Sequence, residues 1–186
     1  MNKIESAVND ILLEIGEDPQ REGLLRTPHR VAKAYKELTS GYHMDVNTIL
    51  NDALFTVEYS EMVVVTNIEF HSLCEHHMLP FYGQVHVAYI PDTKVVGLSK
   101  IPRIVDMFAK RLQVQEKMTQ QIADTIQNAL NPKGVGVVVS GHHMCMSMRG
   151  VGKKAARMTT SALIGAFRDN PATRNEFLQL VNNATK

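Results

Sequence analysis

Both cysteines of this chain lie beside histidines, in two short runs that are far apart in the sequence. One run is Cys74-Glu75-His76-His77 and the other is His142-His143-Met144-Cys145. Together they contain both of the 2 cysteines and half of the 8 histidines. Thiolate sulfur and imidazole nitrogen are the ligands that Zn²⁺ prefers. A shared zinc site would therefore require a fold that brings these two distant segments together.

The ligand set favours a metal site that keeps one position open. Cys74 and His77 are separated by two residues, so a tight loop can direct both side chains at one ion, with Cys145 as the third ligand. Two thiolates, one imidazole and a water form a known catalytic zinc set. Two alternatives stay open: a closed structural site that recruits a further histidine, and two cysteines that are only small buried side chains.

The roles of the remaining histidines depend on that ligand set. If only His77 binds the ion, His76 and His143 lie free beside it, where imidazole can carry protons near neutral pH. Otherwise each is a structural histidine or a partner of a ligand. His142 is a further candidate that could compete for the metal.

The composition indicates a globular chain with an ordinary core. The chain has 186 residues, of which 44% are hydrophobic, and this length suits one domain with a small helical appendage. A formal net charge of +1 argues against nucleic-acid binding. No apolar run approaches the ~20 residues needed to span a bilayer, and the N-terminus lacks the apolar core of a signal peptide. We therefore expect no membrane partner and a cytoplasmic location, where thiols stay reduced.

Hydrophobic periodicity divides the chain into helices and strands. Helical spacing covers residues 4–15 and a segment that begins at Thr27-Pro28, with Thr27 as the N-cap. Residues 42–60 have no clear period and are interpreted as a connection. The later elements are, in order, strands near 63–70 and 82–90, helices over 101–111 and 115–130, strands over 135–140 and 157–167, and a helix from Pro171. For residues 157–167 a helix stays open as the alternative.

This order of elements predicts an α+β fold, in which an antiparallel sheet carries helices on one face. We place an N-terminal helical segment at residues 1–60 and the sheet-containing domain at residues 61–186.

Three sets of cations could converge on a polyphosphate. Arg30 and Lys33 are one helical turn apart, Lys100 and Arg103 share that spacing, and Arg149 follows the second cysteine by four residues. Arginine gives bidentate contacts to phosphate, and lysine supplies a point charge. Taken alone, Arg30 and Lys33 are better explained as an exposed helix face.

Glu116 lies at the start of the helix expected over residues 115–130. The helix dipole favours a carboxylate there, which is a sufficient structural explanation. A carboxylate can also accept two parallel N–H groups and so read a guanine edge, but spacing alone favours the structural explanation.

Five segments resemble motifs of the GTP cyclohydrolase I family, in the order and spacing of that family. The resemblance runs from about Gly23 to the C-terminus. Each motif is modest by itself, and their combination in register is highly specific. The segments are Ser72–His77, Gly97–Ile101, Gln113–Glu116, His143–Cys145 and Met148–Gly150.

The resemblance implies a tunnelling fold, with a four-stranded antiparallel sheet and two helices on one side. It also implies a barrel-like homo-oligomer, a homodecamer, with active sites between subunits. The implied reaction converts GTP and water into formate and 7,8-dihydroneopterin triphosphate, the entry to tetrahydrofolate or tetrahydrobiopterin synthesis. Residues 61–186 would then form the catalytic domain.

The resemblance further implies roles for particular residues. One zinc ion per subunit would be bound by Cys74, His77 and Cys145, and the catalytic residues would be His76 and His143. The expected substrate contacts are Glu116 at the guanine, together with Gln115, Ser99, Lys100, Arg103, Arg149, Arg30 and Lys33.

Two other functions stay open. One is a pterin or deazapurine enzyme of the same fold, such as a nitrile-reducing relative that uses a cysteine nucleophile without zinc. The histidines that follow Cys74 argue for a metal instead. The other is a zinc-stabilised oligomeric binding module without catalysis, which predicts four protein ligands and no exchangeable water.

Overall fold

A computed structural model of the chain describes residues 2–184 and divides into two compact units. The first unit is Met1–Ser40 and the second is Gly41–Lys186. The functional boundary expected after residue 60 stays a prediction. Within the described residues, no helix is both long enough and apolar enough to cross a bilayer.

The first unit consists of two helices, α1 (Lys3–Glu14) and α2 (Thr27–Leu38). The Asn2 side chain accepts a hydrogen bond from the Glu5 backbone while the Glu5 carboxylate accepts one from the Asn2 backbone, which caps α1. The sequence placed Thr27 as the N-cap of α2, but Thr27 is its first helical residue. The preceding turn already has helical angles at Arg26, so the helix begins one residue earlier.

The second unit contains a two-stranded sheet and a five-stranded sheet, which confirms the mixed α+β class. The larger sheet has the order β5-β2-β3-β6-β7, in which β5 is a short parallel edge strand and the other neighbours are antiparallel. It therefore differs from the expected four-stranded antiparallel sheet by this two-residue edge strand. The strands are β1 (Leu54–Thr56), β2 (Val63–Cys74), β3 (Pro80–Ile90), β4 (Lys94–Val96), β5 (Leu112–Gln113), β6 (Gly134–His143) and β7 (Met158–Gly165).

The helices of the second unit pack on both faces of the large sheet. One face is covered by α4 and α5, whose Ile101, Ile104, Ile122 and Ile126 are fully buried. The helices are α3 (Val46–Leu50), α4 (Lys100–Ala109), α5 (Gln115–Leu130), α6 (Met144–Ser147), α7 (Ala166–Asp169) and α8 (Pro171–Ala184).

Helix α8 departs from the expectation that the helices share one face. Its Phe177 and Val181 are buried against Ala88 and Val138, which point away from α4 and α5. Alternation along a strand sends neighbouring side chains to opposite faces, so an apolar residue such as Val138 has to be covered from the other side. Helix α8 supplies that cover at one end of the sheet.

The segment 42–60 is more regular than the sequence predicts. It contains α3, and β1 pairs with β4 in an antiparallel ladder from Leu54–Val96 to Thr56–Lys94. Each of these elements has five residues or fewer, which is too short for a periodic pattern to emerge.

Candidate metal centre

The first cysteine lies where β2 ends and a tight loop leads into β3. The backbone N–H of Cys74 donates to the carbonyl of Leu79 at 2.9 Å. The carbonyl of Cys74 accepts from the N–H groups of Met78 at 2.7 Å and His77 at 3.3 Å. Met78 has a φ of 55°, the left-handed conformation that reverses the chain. This turn directs His77 back toward Cys74.

The second cysteine reaches the same place through sheet pairing. Strand β6 ends at His143, which pairs with Phe81 on β3, and Cys145 lies in the short helix α6 that follows. One ligand atom from each of Cys74, His77 and Cys145 lies within 4.8 Å of the others. Within residues 2–184, no fourth cysteine, histidine or carboxylate joins this cluster.

The three side chains fit a zinc ion by their chemistry and spacing. Cys74 is buried, Cys145 is half-buried and His77 is exposed, so the cluster opens to solvent on the imidazole side. Burial and the neighbouring Cys74 thiol raise the pKa of Cys145. A bound divalent cation reverses this effect, because a thiol deprotonates when it becomes a ligand.

His143 is held beside the cluster by two buried residues. Its ring stacks on Phe81, with centroids 4.6 Å apart and an angle of 7° between the planes. Its Nε2 atom lies 2.9 Å from Oε1 of Gln115. Burial lowers the pKa of His143, the nearby Glu116 carboxylate opposes that effect, and His142 adds to it.

The other two histidines of the runs have different environments. His76 is exposed, with its ring perpendicular to that of His77 and 6.4 Å away. His142 lies on the opposite face of β6 from His143. Its ring centroid is 5.6 Å from that of Tyr82. It is not part of the three-residue ligand cluster.

Three of the expected substrate contacts lie close to the cluster. Arg149 follows α6, and its Nη1 atom donates to Nε2 of His77 at 2.9 Å. Glu116 is exposed in the first turn of α5, next to Gln115. Gln115 itself is 1% exposed, and both ends of its carboxamide are engaged inside the protein.

The other expected contacts of the second unit lie at the far end of the same sheet. Ser99 lines a cleft with Val65 and Ile68, near the start of β2. Ile68 precedes Cys74 by six residues, or about 20 Å along an extended strand. Lys100 and Arg103 are in the first turn of α4, directly after Ser99. Within one chain, these residues are therefore remote from the candidate ligands.

Arg30 and Lys33 belong to the first unit. Both are exposed on α2, one turn apart as the sequence predicts. Their part in substrate binding stays a prediction.

Phe81 is a residue of this site that the sequence analysis did not identify. It is fully buried, and the ring of His143 stacks on it. The sequence signal for Phe81 would have been the length of β6, which was expected to end near residue 140. The strand extends to His143, and this places His143 opposite Phe81 on β3.

The comparisons with known proteins agree with the motifs in this site. The sequence model of GTP cyclohydrolase I matches residues 4–182. The chain belongs to the GTP cyclohydrolase I family. This confirms the family expected from the five motifs, and it covers nearly the whole chain.

Two relatives within the GTP cyclohydrolase I family are similar over most or all of their length. GTP cyclohydrolase 1 of Campylobacter curvus (strain 525.92) is 61% identical over 179 residues, which cover 96% of this chain and 94% of the relative. GTP cyclohydrolase 1 of Leptospira biflexa serovar Patoc is 56% identical over 182 residues, which cover 98% of this chain and 100% of the relative.

Among solved structures, the chain is similar to the archaeosine synthase QueF-Like in the apo form. The sequence identity is 22% and the TM-score is 0.45. The match covers 56% of this chain and 93% of that chain.

Proposed function

We propose that this protein is a zinc-dependent GTP cyclohydrolase I, which opens the imidazole ring of GTP at C8. The products are formate and 7,8-dihydroneopterin triphosphate, the first intermediate of tetrahydrofolate or tetrahydrobiopterin synthesis, made in the cytoplasm. The observation that carries this proposal is the approach of Cys74, His77 and Cys145 to within 4.8 Å. Family membership supports the reaction.

Those three residues would hold one zinc ion per subunit. When bound, zinc supplies the Lewis acidity that makes water a nucleophile at neutral pH. Three protein ligands leave a coordination position for that water, whereas a structural site normally takes four. The absence of a fourth ligand among residues 2–184 therefore supports a catalytic site over a closed one.

The two remaining histidines would transfer protons. The C8 carbon of guanine is unreactive, so attack by water requires an acid that protonates the N7 nitrogen. We assign that role to His143, which Phe81 and Gln115 hold in place. The exposed His76 would assist proton transfer during hydration and ring opening.

The residues expected to bind GTP lie at both ends of the large sheet, so one end of a subunit does not hold all of them. Glu116 lies near His143 and would accept the N–H groups of the guanine edge. Arg149, which already donates to His77, would contact the phosphates. Ser99, Lys100 and Arg103, at the far end of β2, would bind ribose and triphosphate together with Arg30 and Lys33.

An assembly of several copies resolves this separation. The metal end of one subunit and the Ser99 end of a neighbour would meet, so each site would be complete only between chains. The barrel-like homodecamer with a tunnelling fold, expected from the motifs, has this property. Lone subunits would then bind zinc without turning over GTP.

A nitrile-reducing relative and a non-catalytic binding module are the alternatives. The first would need a free cysteine nucleophile, whereas both cysteines here lie in one cluster with His77. The second would need a fourth protein ligand. An optical spectrum of cobalt-substituted protein, recorded with and without an added anion, separates open from closed coordination because only an open site exchanges its non-protein ligand.

The direct test is the release of formate and pterin from GTP by the purified zinc-loaded protein. Cys145→Ser is the matched control, because it removes one ligand and adds no bulk. We expect stoichiometric formate and a fluorescent oxidised neopterin product, both lost in the control. Intact GTP in the presence of tightly bound zinc, in protein that is assembled into oligomers, would favour the binding module instead.

A further inference from the structure

The carboxamide of Gln115 has only one orientation that satisfies its surroundings. Its Nε2 atom donates to the carbonyl oxygens of Val139 at 3.1 Å and Met158 at 3.0 Å. A carbonyl oxygen can only accept, so the amide nitrogen has to face these two groups. The opposite end of the carboxamide, Oε1, therefore faces His143.

Two hydroxyl groups, that of buried Thr119 and that of half-buried Thr160, support the same orientation. The Thr119 hydroxyl donates to the backbone carbonyl of Gln115 at 2.7 Å, and Thr119 and Thr160 share a 2.7 Å contact. Because the Thr119 proton is already used, Thr160 donates to Thr119 and accepts from Gln115 Nε2 at 3.2 Å. The amide nitrogen of Gln115 has two N–H groups for three acceptors, so one N–H is shared, and every donor of this circuit of polar groups has an acceptor.

This circuit determines which nitrogen of His143 carries a proton. The Gln115 oxygen can only accept, and Nε2 of His143 lies 2.9 Å from it. We infer that Gln115 is a positioning residue that fixes neutral His143 as the Nε2–H tautomer and leaves Nδ1 as its bare nitrogen. The inference deepens the proposed function and rests on it for its catalytic meaning.

The tautomer decides which ring nitrogen of neutral His143 is available to another group. The Nε2–H group is used by the bond to Gln115, so Nδ1 is the nitrogen that remains free of it. The same bond and the stacking on Phe81 keep the ring from rotating. A purely substrate-binding role for the Gln115 side chain would leave one of its polar ends open, whereas both are engaged.

Gly141 provides room for this arrangement. A Cβ atom added to Gly141 would collide with Oε1 of Gln115, and it would come within 3.5 Å of Nε2 of His143. A side chain at this position would therefore displace the accepting oxygen without removing the glutamine. Gly141→Ala is a second and milder way to disturb the same contact.

The test is magic-angle-spinning NMR of the full-length zinc-loaded protein labelled with ¹⁵N-histidine. The ¹⁵N shifts distinguish the two neutral tautomers, and the His143→Asn variant assigns the His143 signals. We expect Nε2 to carry the proton in the wild-type protein. Gln115→Met, which has a similar shape and only the weak acceptor of a thioether sulfur, should give a mixture of tautomers.

Gln113→Met is the matched control for the loss of a buried glutamine. Gln113 is 2% exposed and donates to the Phe108 carbonyl and to Gln121, but it does not contact His143. Its variant should leave the His143 signals unchanged. If Gln115→Met does not fold, Gly141→Ala gives the same comparison. A protonated Nδ1 in the wild type, or an unchanged tautomer in both variants, would overturn the inference.

Kinetics separate positioning from substrate contact. Loss of positioning should lower kcat of Gln115→Met by about 10- to 100-fold with little change in KM. A rise in KM at constant kcat would show a substrate contact instead and overturn the positioning role. The NMR result does not need turnover. A wild-type protein that keeps the Nε2–H tautomer but releases no formate would therefore refute the proposed function alone.

Discussion

His142 and His143 are consecutive residues whose rings lie on opposite faces of the large sheet. His143 stacks on Phe81 beside the candidate ligands, and His142 packs near Tyr82 on the other side. The alternation of side chains along a strand produces this separation. Two histidines that look equivalent in the sequence are therefore expected to differ in function.

Replacement of these two histidines by alanine should have unequal effects. His143→Ala should retain zinc and lower kcat by roughly 10²–10⁴-fold, the usual contribution of a general acid or base. His142→Ala should retain both zinc and turnover, since its ring lies on the face away from the ligands. Zinc content and formate release measure the two effects. Normal turnover by His143→Ala would contradict the proton-transfer role.

Two inactive variants should restore activity when they assemble together. Cys145→Ser removes a candidate ligand, and Lys100→Ala removes a cation at the start of α4, next to the Ser99 cleft. If sites form between subunits, mixed oligomers contain some sites with both intact halves. Co-expression with two different affinity tags and GTP turnover by the doubly purified protein test this. Inactive mixed oligomers would indicate that each site lies within one chain.

Removal of the Phe177 ring should weaken the fold without disturbing the metal centre. Phe177 is fully buried and forms an edge-to-face contact with Phe167 at 5.4 Å, on the opposite sheet face from the ligands. Phe177→Ala should lower the free energy of unfolding by about 3–5 kcal/mol. The neighbouring Leu178 is 37% exposed, so Leu178→Ala should have a much smaller effect. Urea denaturation at one fixed protein concentration compares the two variants.

His86 should make the stability of the protein depend on pH. It is 1% exposed, and burial lowers its pKa below the ordinary value near 6.5. Below pH 6.5 the unfolded chain therefore binds more protons than the folded one, so stability falls as the pH decreases. Above pH 6.5 the His86 ring is neutral in both the folded and the unfolded chain, so it no longer lowers the stability.

The His86→Gln variant isolates that contribution. Glutamine does not titrate, so the loss of stability between about pH 7 and pH 5 should be less steep than in the wild type. Some slope should remain, because burial also lowers the pKa of His143. Urea midpoints across this range measure the slopes. Parallel slopes in the two proteins would contradict the assignment to His86.

Elements with strong local patterns were predictable from the sequence. The alternation over residues 82–90 and the helical stripe of Met118, Ile122 and Ile126 correspond to β3 and α5. The two-residue gap between Cys74 and His77 likewise indicated a tight loop. Each of these signals is contained in a few adjacent turns or residues, so no tertiary information is needed to read it.

Features that depend on distant pairing were not predictable. The contact of His143 with Gln115 joins residues 28 positions apart, and it depends on where β6 meets α5. The position of α8 was equally unpredictable from the sequence. Helical periodicity shows that Phe177 is buried, but it does not show which face of the sheet Phe177 packs against. Both depend on how helices pack against the sheet, which no local pattern specifies.

The candidate ligands combine a local hairpin with a distant part of the chain. Cys74 and His77 share one loop, whereas Cys145 follows about 70 residues later, and in an unfolded chain bringing it to them means closing a long loop against its entropy. Pairing of β3 with β6 closes that loop in the folded protein. A metal bound by all three residues thus binds the folded chain and not the unfolded one, so its binding raises the free energy of unfolding. Chelation should therefore lower the unfolding midpoint of the whole domain, even though the hairpin that carries two of the ligands remains intact.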